Sequence, residues 1–172
     1  MQNIEFKARR NDHDNLIKKL NAFNPCYIGE DHQADTYFNV KKGRLKLREG
    51  NIENALIYYH RDDVASSKLS QVILYQHPPS QYLKEILTAV HGVKVIVNKK
   101  RKIYFIENVK FHFDVVEELG SFIEVEAIEP TDGAGIEKIK EQCNFFAKIL
   151  GILPGEYLPG SYSDMLLNGK LL

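Results

Sequence analysis

Along much of this chain apolar and charged residues alternate one by one. A period of two marks a β-strand whose two faces meet different surroundings. In residues 2–9, Ile4, Phe6 and Ala8 share one face, and Asn3, Glu5, Lys7 and Arg9 share the other. In 43–49, Leu45 and Leu47 oppose Arg44, Lys46 and Arg48. In 109–117, Val109, Phe111, Phe113 and Val115 oppose Lys110, His112, Asp114 and Val116, and in 121–128 Glu124 and Glu126 fall on one face. Segments 34–40, 54–62, 68–76, 93–99 and 100–107 also read as strands, with Lys99 and Arg101 two apart. Lys41-Lys42-Gly43 is a short hairpin signal and Glu107-Asn108 a second turn.

An antiparallel sheet with one solvated face alternates in the same way. Three features favour a closed barrel instead. The polar faces are almost purely ionic, acids gather on the first and last strands with bases between them, and three amphipathic helices are available to cover the apolar faces. The first helix is expected over 12–22, with Leu16, Ile17 and Leu20 on one face and Asn11 or Asp12 as cap. The second, over 80–91, starts at Ser80, carries Leu83, Ile86, Leu87 and Val90, and stops at Gly92. The third, over 135–150, aligns Ile136, Ile139, Cys143, Phe146 and Leu150 before Gly151. The expected fold is α+β and mainly β: an antiparallel closed β-barrel with about three helices packed outside and charged side chains in its lumen.

The 172 residues suit one domain. Lys plus Arg number 23 and Asp plus Glu number 23, a balance that argues against a general binder of nucleic acid or anionic membrane. The opening MQNIEFKARR has no apolar signal region, and no apolar run approaches the ~18 residues of a membrane span. Cys26 and Cys143 are too few for a disulfide scaffold and read as reduced thiols, so a cytoplasmic protein is expected.

Crowded lysines and arginines in a lumen of reduced dielectric call for anions. An extended polyanion such as a triphosphate would neutralise them. Glu5, Glu124 and Glu126 would then hold Mg²⁺ or Mn²⁺, hard cations that take oxygen ligands from a few carboxylates plus phosphate. The sequence contains no Walker A loop, GxGxxG, GxSxG or HExxH to suggest another chemistry.

The opening N-I-E-F-K-A-R resembles the ExExK signature strand of the CYTH superfamily, the triphosphate tunnel metalloenzymes. D-T-Y-F (35–38), R-L-K-L-R-E (44–49), L-I-Y-Y-H-R (56–61), V-N-K-K-R (97–101), K-F-H-F-D (110–114), E-L-G-S-F-I-E-V-E (118–126) and S-Y-S-D-M-L (161–166) follow in the order of its class IV adenylyl cyclase branch. The resemblance implies an eight-stranded antiparallel tunnel that binds nucleotide or organic triphosphates with divalent metal. It implies Glu5, Glu124 and Glu126 as metal ligands, and Lys7, Lys46, Arg48, Arg61, Lys99, Arg101 and Lys110 as phosphate contacts. Asn3 stands where the signature has its first acid, which removes one negative charge from the metal site. The segment 152–172, with Tyr162 and Ser163, is expected to cap one tunnel mouth.

Lys7, His112 and Asp114 are the catalytic candidates, the last two positioning or deprotonating a nucleophile. The structural alternatives stay open: an ion pair for Lys7, a hydrogen-bonded core group for His112, a salt bridge to a neighbouring base for Asp114. Three functions fit. The first is a metal-dependent phosphohydrolase acting on a triphosphate-bearing small molecule. The second is a cyclase converting ATP to cyclic AMP and pyrophosphate, and the third a non-catalytic binder of polyphosphate or nucleotide. A homodimer is left open.

Overall fold

The alternating segments fold into strands whose ionic faces turn inward. The structure is a computed structural model that describes residues 1–61, 67–130, 133 and 135–169, with Arg61 and Pro154 as backbone alone. The strands are β1 (Gln2–Arg9), β2 (Cys26–Phe38), β3 (Arg44–Glu49), β4 (Ala55–Arg61), β5 (Lys68–Gln76), β6 (Val93–Ile106), β7 (Val109–Val116) and β8 (Gly120–Ile128). They close an antiparallel ring in the order β1-β5-β4-β3-β2-β6-β7-β8, so that β1 pairs with both β5 and β8. The helices are α1 (His13–Asn21), α2 (Gln81–His91), α3 (Ile136–Leu150) and α4 (Tyr162–Gly169).

Differences from the sequence reading are local. Segments 93–99 and 100–107 are one strand, β6. The strand expected at 34–40 begins eight residues earlier, at Cys26. A fourth helix, α4, follows a short 3₁₀ turn at Pro154–Glu156. Both expected hairpins form. Gly43 takes the left-handed conformation at φ +66°, and a Cβ there would also meet the Tyr59 carbonyl at 2.8 Å.

Two apolar clusters hold the ring. Outside, α1 and α3 lay Leu16, Leu20, Ile139, Cys143, Phe146 and Leu150 over Ile4, Phe6, Phe111, Phe113, Ile123 and Val125 of β1, β7 and β8. This is the apolar face the alternation requires to be covered. Inside, Tyr162 and Leu166 of α4 pack on Tyr37, Tyr59, Val95, Val97, Val116 and Phe122, which fill one end of the lumen. Residues 170–172 of the expected capping segment lie outside the described residues. In α2, Ser80 accepts the Leu83 N–H as N-cap, yet the helix buries no residue. Among the described residues no helix is long and apolar enough to cross a membrane.

Candidate active site in the barrel lumen

The other end of the lumen is a cavity of about 600 Å³. Nine of the twelve residues singled out from the sequence line it: Glu5, Lys7, Lys46, Arg48, Arg101, Lys110, His112, Glu124 and Glu126. Strand register explains why they meet. Lys7 stands across from Glu124 and Glu5 from Glu126 in the β1–β8 pairing, while His112 faces Glu124 and Lys110 faces Glu126 in the β7–β8 pairing. Lys99 and Asp114 are buried in the wall instead. Arg61 ends β4 across from Ser70, and its side chain lies outside the described residues.

The lumen carries its own counter-charges, which alters the expectation of a cationic cavity in need of anions. Lys7 pairs with Glu124. Asp35, wholly buried, gathers Lys46 at 2.9 Å, Arg48 at 2.9 Å and Lys99 at 2.7 Å. Arg101 donates to Asp114 twice, at 2.6 Å each, and to Glu124 at 3.0 Å. Glu53 takes Arg48 at 2.8 Å and also pairs with Lys110. Sequence alone does not single out Asp35 and Glu53. Asp35 is the inward residue two before Tyr37 on β2, and Glu53 sits in the β3–β4 connection, where alternation says nothing.

These pairs set the proton affinities. Burial opposes the charged form of Asp35, but Arg48, Lys46 and Lys99 outweigh it and hold the carboxylate well below its usual range. One carboxylate does not satisfy three cations. Burial, together with repulsion from Arg48, Arg101 and Lys46, draws Lys99 down to about 7 against the pull of Asp35. Burial likewise lowers His112, to about 4, with Arg101 and Lys110 adding to the effect.

A hard divalent cation suits one corner of this cavity. One ligand atom each from His112, Glu124 and Glu126 lie within 4.8 Å of one another. Glu5 lines the same space in register with Glu126. His112 Nδ1 is 3.2 Å from Glu124 Oε2 and 3.8 Å from Glu126 Oε1. The buried Asn3 Oδ1 and His112 Nε2 have no hydrogen-bond partner among the described residues. Carboxylate oxygens with an amide oxygen and an imidazole nearby are donors such a cation accepts.

The described residues that β4 and β5 give the opposite side of the cavity are uncharged. Tyr59 pairs with Val72, Ile57 with Leu74 and Ala55 with Gln76 across β4 and β5, and all six line the cavity. Ile52, His77, Pro78 and Pro79 line it too. At the α4 end, Tyr162 donates its hydroxyl to Asp114 at 2.7 Å and stacks under Lys7, whose Nζ is 4.1 Å from the ring centre.

The fold and the sequence both have relatives. The structure of the PH1012 protein from Pyrococcus horikoshii OT3 superposes with a TM-score of 0.80 at 23% identity, covering 94% of this chain and 98% of that one. A putative adenylate cyclase from Vibrio parahaemolyticus gives 0.77 at 16% identity, covering 96% and 97%. The putative adenylyl cyclase HpAC1 from Hippeastrum, with its dominant triphosphatase activity, gives 0.65 at 17% identity, covering 99% and 97%. At these identities the likeness is one of fold. No curated protein matches the sequence. The family model of the CYTH domain matches residues 1–162, and the chain therefore belongs to the CYTH domain family.

Proposed function

We propose that this protein is a divalent-metal-dependent phosphohydrolase that takes a nucleotide or other organic triphosphate into its lumen. The observation that carries this reading is the division of one cavity into two walls. Glu5, Glu124, Glu126 and the cations Lys7, Lys46, Arg48, Arg101 and Lys110 make one wall, and the uncharged described residues that β4 and β5 give the cavity make the other. An inorganic polyanion has no use for an apolar wall, whereas an organic triphosphate matches both. The volume also lies within the ~300–1,000 Å³ of small-molecule sites.

In this reading Glu5, Glu124 and Glu126 hold Mg²⁺ or Mn²⁺, with Asn3 Oδ1 and His112 beside them. When bound, the ion supplies neutralisation of phosphate charge and a more acidic water. Lys46, Arg48 and Lys110 bind phosphate oxygens, the Arg48 guanidinium offering a planar fork that suits an oxyanion. Arg101 is held by Asp114, which is itself tied by Tyr162, so Asp114 positions Arg101 rather than touching substrate. With Nδ1–H donated to Glu124, His112 presents the lone pair of Nε2 and can accept a hydrogen bond from the attacking water.

The dominant triphosphatase activity of the Hippeastrum protein favours hydrolysis over cyclisation for a chain of this fold. Cyclisation would use the same cations with the ribose 3′-hydroxyl as nucleophile. The deciding experiment incubates the protein with ATP, GTP, thiamine triphosphate and inorganic triphosphate, with Mg²⁺ and with Mn²⁺, and separates the products. Release of orthophosphate is expected. Cyclic nucleotide with pyrophosphate would establish a cyclase, and retention of ligand without turnover a binder.

A further inference from the structure

The connection between β3 and β4, residues 50–54, brings one carboxylate to the cavity, that of Glu53. The loop's course does not depend on that carboxylate. Asp31, wholly buried, accepts the backbone N–H groups of Ile52 at 2.8 Å and Glu53 at 3.0 Å. Asn54 braces the turn by bonding both the N–H and the carbonyl of Gly50. The Glu53 side chain can thus swing away without dismantling the loop. Its carboxylate receives Arg48 Nη1 at 2.8 Å, Gln33 Nε2 at 3.1 Å and the Lys110 ammonium.

Its setting differs from that of the other carboxylate on Arg48. The Asp35 side chain is 2% exposed and takes the guanidinium through both Nε and Nη2, at 2.9 and 3.0 Å. Asp35 therefore orients Arg48 from behind. The Glu53 side chain is 25% exposed and holds the remaining Nη1 from the cavity side. Arg48 and Lys110 come from β3 and β7, and one carboxylate joins them across the lumen.

We propose that Glu53 is a displaceable counter-ion: it occupies Arg48 and Lys110 while the cavity lacks substrate, and an entering triphosphate takes its place between them. This rests on the triphosphate reading above. A phosphate group offers the same two cations more oxygens and more charge than a carboxylate, so it wins the exchange. An anion bearing a single charge does not. Glu53 accordingly sets a threshold of charge for entry.

The test is Glu53→Gln, which keeps the length of the side chain and removes its charge. Calorimetric titration with inorganic tripolyphosphate, in chelator so that no turnover intervenes, compares it with the unaltered protein. Glu53→Ala repeats the comparison, and circular dichroism checks the fold of both. The dissociation constant is expected to fall by about tenfold in both variants, a difference of ~1.4 kcal/mol. Equal or weaker binding by folded variants overturns the counter-ion role while leaving the triphosphate reading intact. A collapse of the fold on neutralising Glu53 overturns it too, because the carboxylate would then be structural. Failure of the unaltered protein to bind tripolyphosphate at millimolar concentration, in chelator and with Mg²⁺ alike, overturns both.

Discussion

Arg101 and Asp114 face each other across β6 and β7 and are joined by two hydrogen bonds of 2.6 Å in a wholly buried wall of the lumen. Burial opposes the charge on Asp114, yet Arg101 outweighs it and draws the carboxyl down to about 2. Removing one partner from such a pair leaves an uncompensated charge, which costs about 3–5 kcal/mol. Asp114→Asn should therefore lower the melting temperature by roughly 10 °C at this chain length. A thermal melt showing a change of less than ~2 °C would contradict a positioning role through Arg101.

Divalent metal should depend on Glu126 more cleanly than on Glu124. Glu124 is already engaged by Lys7 and Arg101, so its loss disturbs those cations as well. The Glu126 side chain is 21% exposed and approaches His112 Nδ1 at 3.8 Å. Outer-shell partners alone are worth ~10–100-fold in metal affinity, so Glu126→Gln should weaken Mn²⁺ binding by at least ~10-fold with an unchanged circular dichroism spectrum. Titration of Mn²⁺ followed by its electron paramagnetic signal reads this directly, and undiminished affinity would remove Glu126 from the metal site.

Lys99 provides the pH dependence. Its ordinary value of 10.5 is lowered to about 7 in the folded protein by burial, with Arg48, Arg101 and Lys46 adding to it. Between those two values the unfolded chain binds more protons than the folded one, so the Lys99 contribution to stability rises with pH from about 7 to 10.5. An anion bound at Lys46 and Arg48 offsets their repulsion and restores the charge on Lys99. Tripolyphosphate binding at pH 8 should then take up protons. Calorimetry in two buffers of different ionisation enthalpy measures the uptake, and Lys99→Met should abolish it.

The uncharged wall should distinguish organic from inorganic substrates. Leu74 lines the cavity opposite Ile57 and is 44% exposed. Trimming it to Ala should raise KM for a nucleoside triphosphate by roughly tenfold, the lower end for lost methylenes in an apolar pocket. KM for inorganic triphosphate should not move. An equal rise for both would mean that β5 contributes to folding of the site and not to recognition.

The sequence is legible where one strand face is ionic and the other apolar. β1, β3, β7 and β8 have that contrast, and their inward residues follow from it. β2 lacks it at the start, because Glu30 and His32 outside alternate with Asp31 and Gln33 inside, polar on both faces. β6 reads as two strands because its inward face changes character along its length, from Val95 and Val97 to Lys99 and Arg101 and back to Ile103. Glu53 gives no signal, since its reach into the lumen depends on Asp31 holding a loop 22 residues away in sequence.

The ring closes between the first strand and the last. Lys7 and Glu124 are separated by 117 residues, so the N-terminal strand finds its second neighbour after nearly all of the barrel has been synthesised. Until then Phe6 and its apolar companions wait for β8 and α3, and β1 presents unpaired N–H and C=O groups on that side. Pairings of such sequence separation bring loop-closure entropy early and contacts late, which places folding in the slow range of milliseconds to seconds for all-β domains. Glu124 and Glu126 lie on that final strand, so the pairing that closes the ring also brings the carboxylates of the lumen to Glu5 and Lys7.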